Sequence, residues 1–403
     1  MLYVTVLDLP FLFFAISAFI FGLIIGSFLN VVIHRTPRGL SIVFPGSHCA
    51  LCDAPIRAFD NVPLISYALL GGRCRSCRAR ISLTYPAVEL VAGLMFVALI
   101  FKTGPSWEVL LEFVFACVMI ALVFIDARHY MLPNVITYPA FVFALAAATA
   151  RAGWGNQPSL TFDISIIIPG LHSEFSPWRA ALFGGSLLAL AAPGFRLLDS
   201  LDPLLFGKYF DWEETDENEP GYASLPARPA SIKDQSKKPG ALEAMRAQEL
   251  SEEMESERRY NRSIYAAMIL GAITAVTWAT MVIFYSAPNQ QAYEDAYSGL
   301  LRASAGALIG GGLIWWIRAV YFLIRGVEGI GLGDVKMMSV VGAFTGWIGA
   351  LGVLLLGSIM GSIAGLIFIY LSKRGLKTPL PFGACLGVAT LIVTLTSLNF
   401  TIP

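Results

Sequence analysis

The chain has 403 residues, of which 56% are hydrophobic and 14% charged, and its formal net charge at pH 7 is zero. So large an apolar fraction excludes an ordinary soluble domain, and the balanced charge provides no basic field for binding nucleic acid. The apolar residues are grouped in blocks of roughly 18–24, about the length of helix needed to cross a bilayer. The sequence therefore predicts an all-α polytopic membrane protein.

The first apolar block, residues 11–33, is not followed by a small-residue cleavage site, so a retained span is expected rather than a removed signal peptide. The block 178–197 is the weakest, because charged residues and a proline crowd its ends. The stretch 336–372 is too long for one span, and two helices joined by a tight turn are expected there. The blocks after the first are 86–102, 108–125, 135–150, 178–197, 263–286, 300–323, 336–349, 350–372 and 381–399.

Lysines and arginines in the short loops predict the orientation, because these residues concentrate on the cytosolic side of a membrane. Arg35 and Arg38 follow the first block, and five further arginines lie in the polar loop that comes next. We therefore expect the loop in the cytosol and the N-terminus outside. Counting spans alternately places Asp126 and Asp334 on the same cytosolic face.

The polar loop predicts a metal site. It holds four of the six cysteines as two C-x2-C pairs, Cys49/Cys52 and Cys74/Cys77. Two such pairs can complete a tetrahedral four-thiolate zinc site, which leaves no open position and is expected to be structural. There are two alternatives to a zinc site. One is redox use or disulfides, which a reducing compartment disfavours, and the other is free thiols. The other two cysteines, expected to be small buried side chains in apolar blocks, are Cys117 and Cys385.

Two aspartates lie at the ends of apolar blocks, where ionisable side chains are costly and tend to mark function. Asp126 ends a block in FIDARHYMLPN, and an interfacial pair with Arg128 is its alternative explanation. Asp334 precedes a block in GIGLGDVKMM, and capping that helix is its alternative role. Capping alone does not require Lys336 two residues later. Nor does it require three alternating glycines, which allow another segment to approach closely; these are Gly329, Gly331 and Gly333.

Two carboxylates that meet at a partly dehydrated site cannot both ionise, so one keeps its proton. The ionised group can then activate a water that attacks a peptide carbonyl, while the protonated group hydrogen-bonds the carbonyl oxygen. The sequence places Asp126 and Asp334 on one face but does not show that they meet. A peptidase dyad is the expected chemistry. The alternatives are an ion or proton site in a transporter or channel, and an inactive scaffold.

Residues 152–298 differ from the rest of the chain. Their segment 198–262 holds a dense acidic run, then a stretch rich in Pro, Ser and Lys, then a composition that suits an exposed helix. We expect an insertion in which two extra spans flank a partly disordered cytosolic segment. An even number of extra spans leaves the orientation of the other spans unchanged.

Taken together, the motifs resemble the type IV prepilin peptidase family, also called leader peptidase/N-methyltransferase, a group of GxGD-type membrane aspartic peptidases. They occur in the family's order and leave only roughly 152–298 uncovered. Asn134 stands where the family commonly has Asp, and Ala384 where it usually has Pro. Besides the cysteine pairs, the matching segments are GSFLNVVIHRTP (26–37), NVPLISYALLGGRCRSC (61–77), ISLTYPAVEL (81–90), IDARHYMLPNVIT (125–137), GLGDVKMM (331–338) and LPFG (380–383).

The resemblance implies about eight membrane helices, here with two more in the insertion, and a small cytosolic cysteine domain associated with zinc. It makes Asp126 and Asp334 the catalytic aspartates, with Gly331, Gly333 and Lys336 as supporting motif residues. It also implies that prepilins and pseudopilins, as membrane-embedded substrates in the lipid of the bacterial inner membrane, lose a basic leader after a glycine on the cytosolic side. The new N-terminal residue is then methylated with S-adenosylmethionine.

No glycine-rich Rossmann fingerprint is present, so the residues that bind S-adenosylmethionine are not assigned. Asn30 and Glu89, polar residues near the inner ends of spans, are weak candidates. The expected organisation is a first span (1–33), the four-cysteine zinc domain (34–85), spans carrying Asp126 (86–151), the insertion (152–298) and the peptidase region with the GxGD motif (299–403).

Overall fold

The structure, a computed structural model, describes residues 9–49, 51–154, 290–326, 329–372 and 381–396. Within these ranges the chain is mostly helical, with no strands beyond two isolated β-bridges in the cysteine loop. The predicted all-α class is confirmed. The helices are α1 (Leu9–Arg35), α2 (Ile65–Leu69), α3 (Thr84–Thr103), α4 (Trp107–His129), α5 (Asn134–Trp154), α6 (Gln290–Arg325), α7 (Leu332–Ser372) and α8 (Phe382–Thr396).

Six helices in the described ranges are long and apolar enough to cross a membrane, and the shorter apolar α8 follows them. These candidate spans are Leu9–Arg38, Thr84–Thr103, Trp107–His129, Asn134–Ala152, Ser298–Arg325 and Leu332–Phe368. The predicted blocks 178–197 and 263–286, and the charged segment 198–262, lie outside the described residues.

The first three long helices pack through glycines and aromatic rings. A Cβ atom added to Gly22 of α1 would lie 2.8 Å from the Ala92 carbonyl oxygen of α3, so only a glycine allows this approach. The rings of Phe96 on α3 and Phe113 on α4 stack with their centroids 4.0 Å apart. Buried side chains of α4 belong to two apolar cores. One core is shared with α1 and α3, and the other with α5, α6, α7 and α8.

The second core brings distant segments together. Phe115 of α4 stacks on Phe344 of α7 with centroids 3.8 Å apart, and the backbones of α6 and α7 meet at Gly306 and Gly342. Helix α6 also runs against the last turns of α5, because a Cβ atom on Gly299 would lie 3.1 Å from the Ala148 carbonyl oxygen. The chain therefore leaves α5 and re-enters the bundle in α6 at neighbouring places.

Helix α7 is interrupted at Gly346, where φ is 77° and ψ is 175°. Glycine adopts this positive φ without the steric cost that a side chain would impose. The two helical parts expected between 336 and 372 are thus present, but they meet a few residues earlier than the predicted boundary at 349/350.

The cysteine loop is fastened to α1 and α3 by buried polar contacts. The Glu89 carboxylate of α3 accepts the Leu64 N–H at 2.8 Å, and the Asn30 amide of α1 donates to the Tyr85 carbonyl at 3.0 Å. Leu64 is a non-glycine residue with φ 57° and ψ −47°, and the Ile65 N–H donates to the Pro63 carbonyl across it. This is a strained γ-turn, which Glu89 holds in place.

We expect Glu89→Ala to loosen the loop, because the partly buried Leu64 N–H would lose its acceptor at a cost of about 1–3 kcal/mol. Proteolysis within residues 36–83 should become about tenfold faster or more, which limited digestion followed by mass spectrometry would measure. Glu112→Ala is the matched control, since that buried carboxylate binds Lys102 and Thr103 at the other end of α3. Equal digestion of the loop in both variants would refute the role given to Glu89.

Candidate active site and metal centre

The two aspartates predicted from the sequence lie at the same end of the bundle. Asp126 is in the last turn of α4, and Asp334 is the third residue of α7. Both are buried, with 5% and 8% of their surfaces exposed. Buried carboxylates need specific partners, because transferring a charge out of water is costly.

The structure brings the two carboxylates together at the start of α8. A Cβ atom added to Gly383 would lie 2.8 Å from Asp334 Oδ1 and 2.9 Å from Asp126 Oδ2. The two oxygens are therefore no farther apart than these two distances combined. The Ala384 N–H donates to Asp126 Oδ2 at 2.7 Å. Three helices that are far apart in the sequence thus converge on one carboxylate pair.

The supporting motif residues hold the start of α7 against the start of α5. Gly333 faces Leu132, because a Cβ atom added to the glycine would lie 3.0 Å from the Leu132 Cβ. The Asp334 N–H donates to the Gly331 carbonyl at 3.2 Å. The buried Lys336 ammonium donates to Asn134 Oδ1 at 2.8 Å and lies 5.3 Å from the centroid of the Tyr138 ring. These contacts orient the turn that carries Asp334.

Asp126 does not form the simple interfacial pair with Arg128 that was considered from the sequence. The Arg128 guanidinium instead donates to the Thr84 hydroxyl at the start of α3. Because α3 directly follows the cysteine loop, this contact places the loop at the same end of the bundle as the aspartates. In the sequence, Gly383 was only the end of the LPFG motif, and Ala384 was only a departure from the family's usual proline. A glycine at the start of an apolar block is the signal that could have pointed to a close backbone approach there.

The four loop cysteines converge as the C-x2-C spacing predicts. Their sulfur atoms all lie within 4.8 Å of one another, and none of the four forms a disulfide. The Sγ atoms of Cys49 and Cys77 are 3.8 Å apart, which matches the edge of about 3.8 Å for a tetrahedron with zinc–sulfur bonds of about 2.3 Å. The donor set therefore fits a structural zinc ion.

The two cysteine pairs have the same backbone turn. The Asp53 N–H donates to the Cys49 carbonyl and the Arg78 N–H to the Cys74 carbonyl, at 2.9 and 3.0 Å. Asp53 and Arg78 also share a positive φ, 52° and 60°. Backbone hydrogen bonds from Cys77 and Ser76 lower the pKa of the Cys74 thiol to about 7. A thiol that ionises near neutral pH suits a metal ligand, because the thiolate is the ligating form.

We expect the purified protein to carry one zinc ion per chain, and Cys49→Ser to lose most of it because a three-thiolate site binds zinc less tightly. Elemental analysis of the protein in detergent would measure this. Cys117→Ser, which changes an α4 cysteine in the apolar core, is the matched control and should keep its zinc. Unchanged zinc content in Cys49→Ser would reject the four-thiolate site.

Comparisons with known proteins agree with the motifs. Residues 20–103 match the family described as the bacterial peptidase A24 N-terminal domain. The chain is 26% identical to the prepilin leader peptidase/N-methyltransferase of Aeromonas hydrophila over 411 residues, which cover 96% of this chain and 92% of the relative. It is 42% identical to the protein of the same name from Myxococcus xanthus over 135 residues, 34% of this chain and 40% of the relative.

A third relative is the type 4 prepilin-like proteins leader peptide-processing enzyme of Escherichia coli. It is 36% identical over 201 residues, which cover 43% of this chain and 73% of the relative. No solved structure matches the chain significantly.

Proposed function

Because the chain belongs to the prepilin leader peptidase/N-methyltransferase family, we propose that it removes the leaders of prepilins and pseudopilins with a dyad of Asp126 and Asp334. The observation that carries this proposal is the convergence of the two carboxylates beside Gly383. Cleavage follows a glycine, at the cytosolic face of the bacterial inner membrane. The substrate is an apolar helix in the bilayer with a basic leader in the cytosol.

The geometry suits hydrolysis by a shared-proton pair. Two carboxylates at this separation, both shielded from water, retain one proton between them. The ionised member accepts a proton from the attacking water, and the other member hydrogen-bonds the carbonyl oxygen of the scissile peptide. Both groups sit at helix ends, where a substrate that enters from the membrane surface can reach them.

The position of the dyad also bears on the transporter alternative. In the described ranges, Asp126 and Asp334 form a pair at one end of the bundle. The relatives named above are peptidases, and their names contain no transport activity. We therefore favour proteolysis.

Methylation of the new N-terminal residue is the second proposed activity, and S-adenosylmethionine would supply the methyl group. The two weak candidates for its site both make hydrogen bonds within the protein. Glu89 accepts the Leu64 N–H and also a hydrogen bond from Ser27, and Asn30 donates to Tyr85. Both fasten the cysteine loop, so neither is assigned to the methyl donor.

The direct test is coexpression with a type IV prepilin in cells that lack their own leader peptidase. We expect a shorter pilin whose N-terminal residue follows the glycine and carries one added methyl group, both measurable by mass spectrometry. The Aeromonas hydrophila relative is the positive control. Unprocessed prepilin in the presence of inserted protein, where the control cleaves the same substrate, would reject the proposal. Cleavage without methylation would reject the second activity alone.

A further inference from the structure

The first turn of α8 contributes a group to the site that the dyad mechanism leaves unused. Ala384 is the third residue of α8 and is buried, and its N–H is among the first four of the helix, which have no acceptor within it. This N–H donates to Asp126 Oδ2 at 2.7 Å. The partial positive charge of the helix N-terminus lies behind it.

We propose that Ala384 is a positioning residue whose backbone N–H stabilises ionised Asp126, which makes Asp126 the base of the pair and Asp334 the carrier of the shared proton. This inference rests on the proposed function. Its physical basis is that a hydrogen bond to a charged acceptor is stronger than one to a neutral acceptor. The donor therefore favours the carboxylate over the carboxylic acid.

The carboxyl and thiol groups near Asp126 cannot provide this stabilisation. In the described part of the chain, Asp334 of α7 and Cys385 of α8 interact with it electrostatically, and neither can be a cation. The nearby cation of α7, Lys336, directs its ammonium to Asn134. The Asp334 carboxylate lies with Asp126 beside Gly383, and two like charges that are so close and so buried cannot both be kept. An ionised Asp126 therefore keeps Asp334 neutral.

The assignment gives each proton a definite path. Asp126 takes a proton from water as the water oxygen bonds to the scissile carbonyl carbon, and Asp334 gives its proton to the carbonyl oxygen. When the carbon–nitrogen bond breaks, Asp126 passes its proton to the leaving amine, and one hydroxyl of the intermediate returns a proton to Asp334. One water is consumed, and the dyad ends in its starting state.

The test removes the N–H and follows the pH dependence of cleavage. Ala384→Pro lacks this donor, and proline is tolerated in the first turn of a helix. We expect the acid limb of the pH–rate profile to move to higher pH by about one unit. This shift corresponds to the loss of one hydrogen bond to a charged group. Ala384→Ser keeps the N–H and should retain the wild-type limb. The substrate is a purified prepilin, and the enzyme is the full chain in detergent.

A second variant excludes a simple packing effect of the proline ring. The α-hydroxy analogue of alanine, introduced at position 384 by nonsense suppression, replaces only the N–H with an ester oxygen and should move the limb in the same direction. If the acid limb of the pH–rate profile does not move in this ester variant, the inference is overturned. The ester variant also provides the test if Ala384→Pro fails to fold. Failure of the proposed function would look different, because Asp126→Asn would then still cleave.

Discussion

Asp126→Asn and Asp334→Asn are each expected to reduce leader cleavage by about 1,000-fold, within the range contributed by general acid–base groups. An amide has nearly the shape of a carboxylic acid, so it fits the same buried space, but it can neither accept the proton of the attacking water nor exchange a proton with its partner. Each variant leaves one carboxyl group of the pair beside Gly383. The initial rate of prepilin cleavage by purified enzyme would measure the loss.

The control for these variants is Glu112→Gln, which changes a buried carboxylate bound to Lys102 at the other end of the bundle. It should cleave at the wild-type rate and insert into the membrane in the same amount. If either aspartate variant processed prepilin at a rate near that of this control, the two-carboxylate mechanism would be wrong. The peptidase would then need a different set of catalytic groups.

Gly383→Ala is expected to reduce cleavage by about 100-fold, the cost that a displacement of about 1 Å can impose on a reaction. The added Cβ would lie within 2.9 Å of an oxygen from each aspartate. That is closer than a carbon and an oxygen can approach without displacement, so the carboxylates or α8 must move. Alanine favours helix formation, so α8 itself should remain folded. The rate of prepilin cleavage is again the measurement.

Gly361→Ala is the matched control for this variant. Its added Cβ would meet the Phe382 ring no closer than 3.4 Å, which is ordinary contact. We expect wild-type cleavage from it. Comparable losses in both variants would show that any added methyl group in this region damages the protein, and that Gly383 has no special relation to the carboxylates.

Local patterns in the sequence carried the prediction of the helices and of the cysteine site. Apolar block length depends on bilayer thickness, and C-x2-C spacing depends on the geometry of one turn, so both are readable without tertiary structure. The spacing accounts for the closeness of the two cysteines within each pair, and the folded loop brings the pair Cys49/Cys52 to the pair Cys74/Cys77. Patterns of this kind involve only residues close together in the chain, so they can be recognised from a single sequence.

The meeting of the carboxylates was not readable in this way. It depends on α4, α7 and α8 packing against one another, through contacts such as Phe115 with Phe344 and the Lys336 hydrogen bond to Asn134. No periodicity encodes these pairings. The break at Gly346 was displaced for a related reason, because several glycines in that stretch could have adopted a positive φ and packing selects one of them.

The neighbouring positions of the end of α5 and the start of α6 have a structural consequence. Asn134, at the other end of α5, contacts Lys336 beside the dyad, whereas Gly299 meets Ala148 near the far end of α5. The chain therefore leaves α5 and returns in α6 at the end of the bundle opposite the dyad, about 30 Å of helix from Asn134 at roughly 1.5 Å of rise per residue. A change in the length of chain between these two helix ends therefore need not displace the helices that carry the dyad.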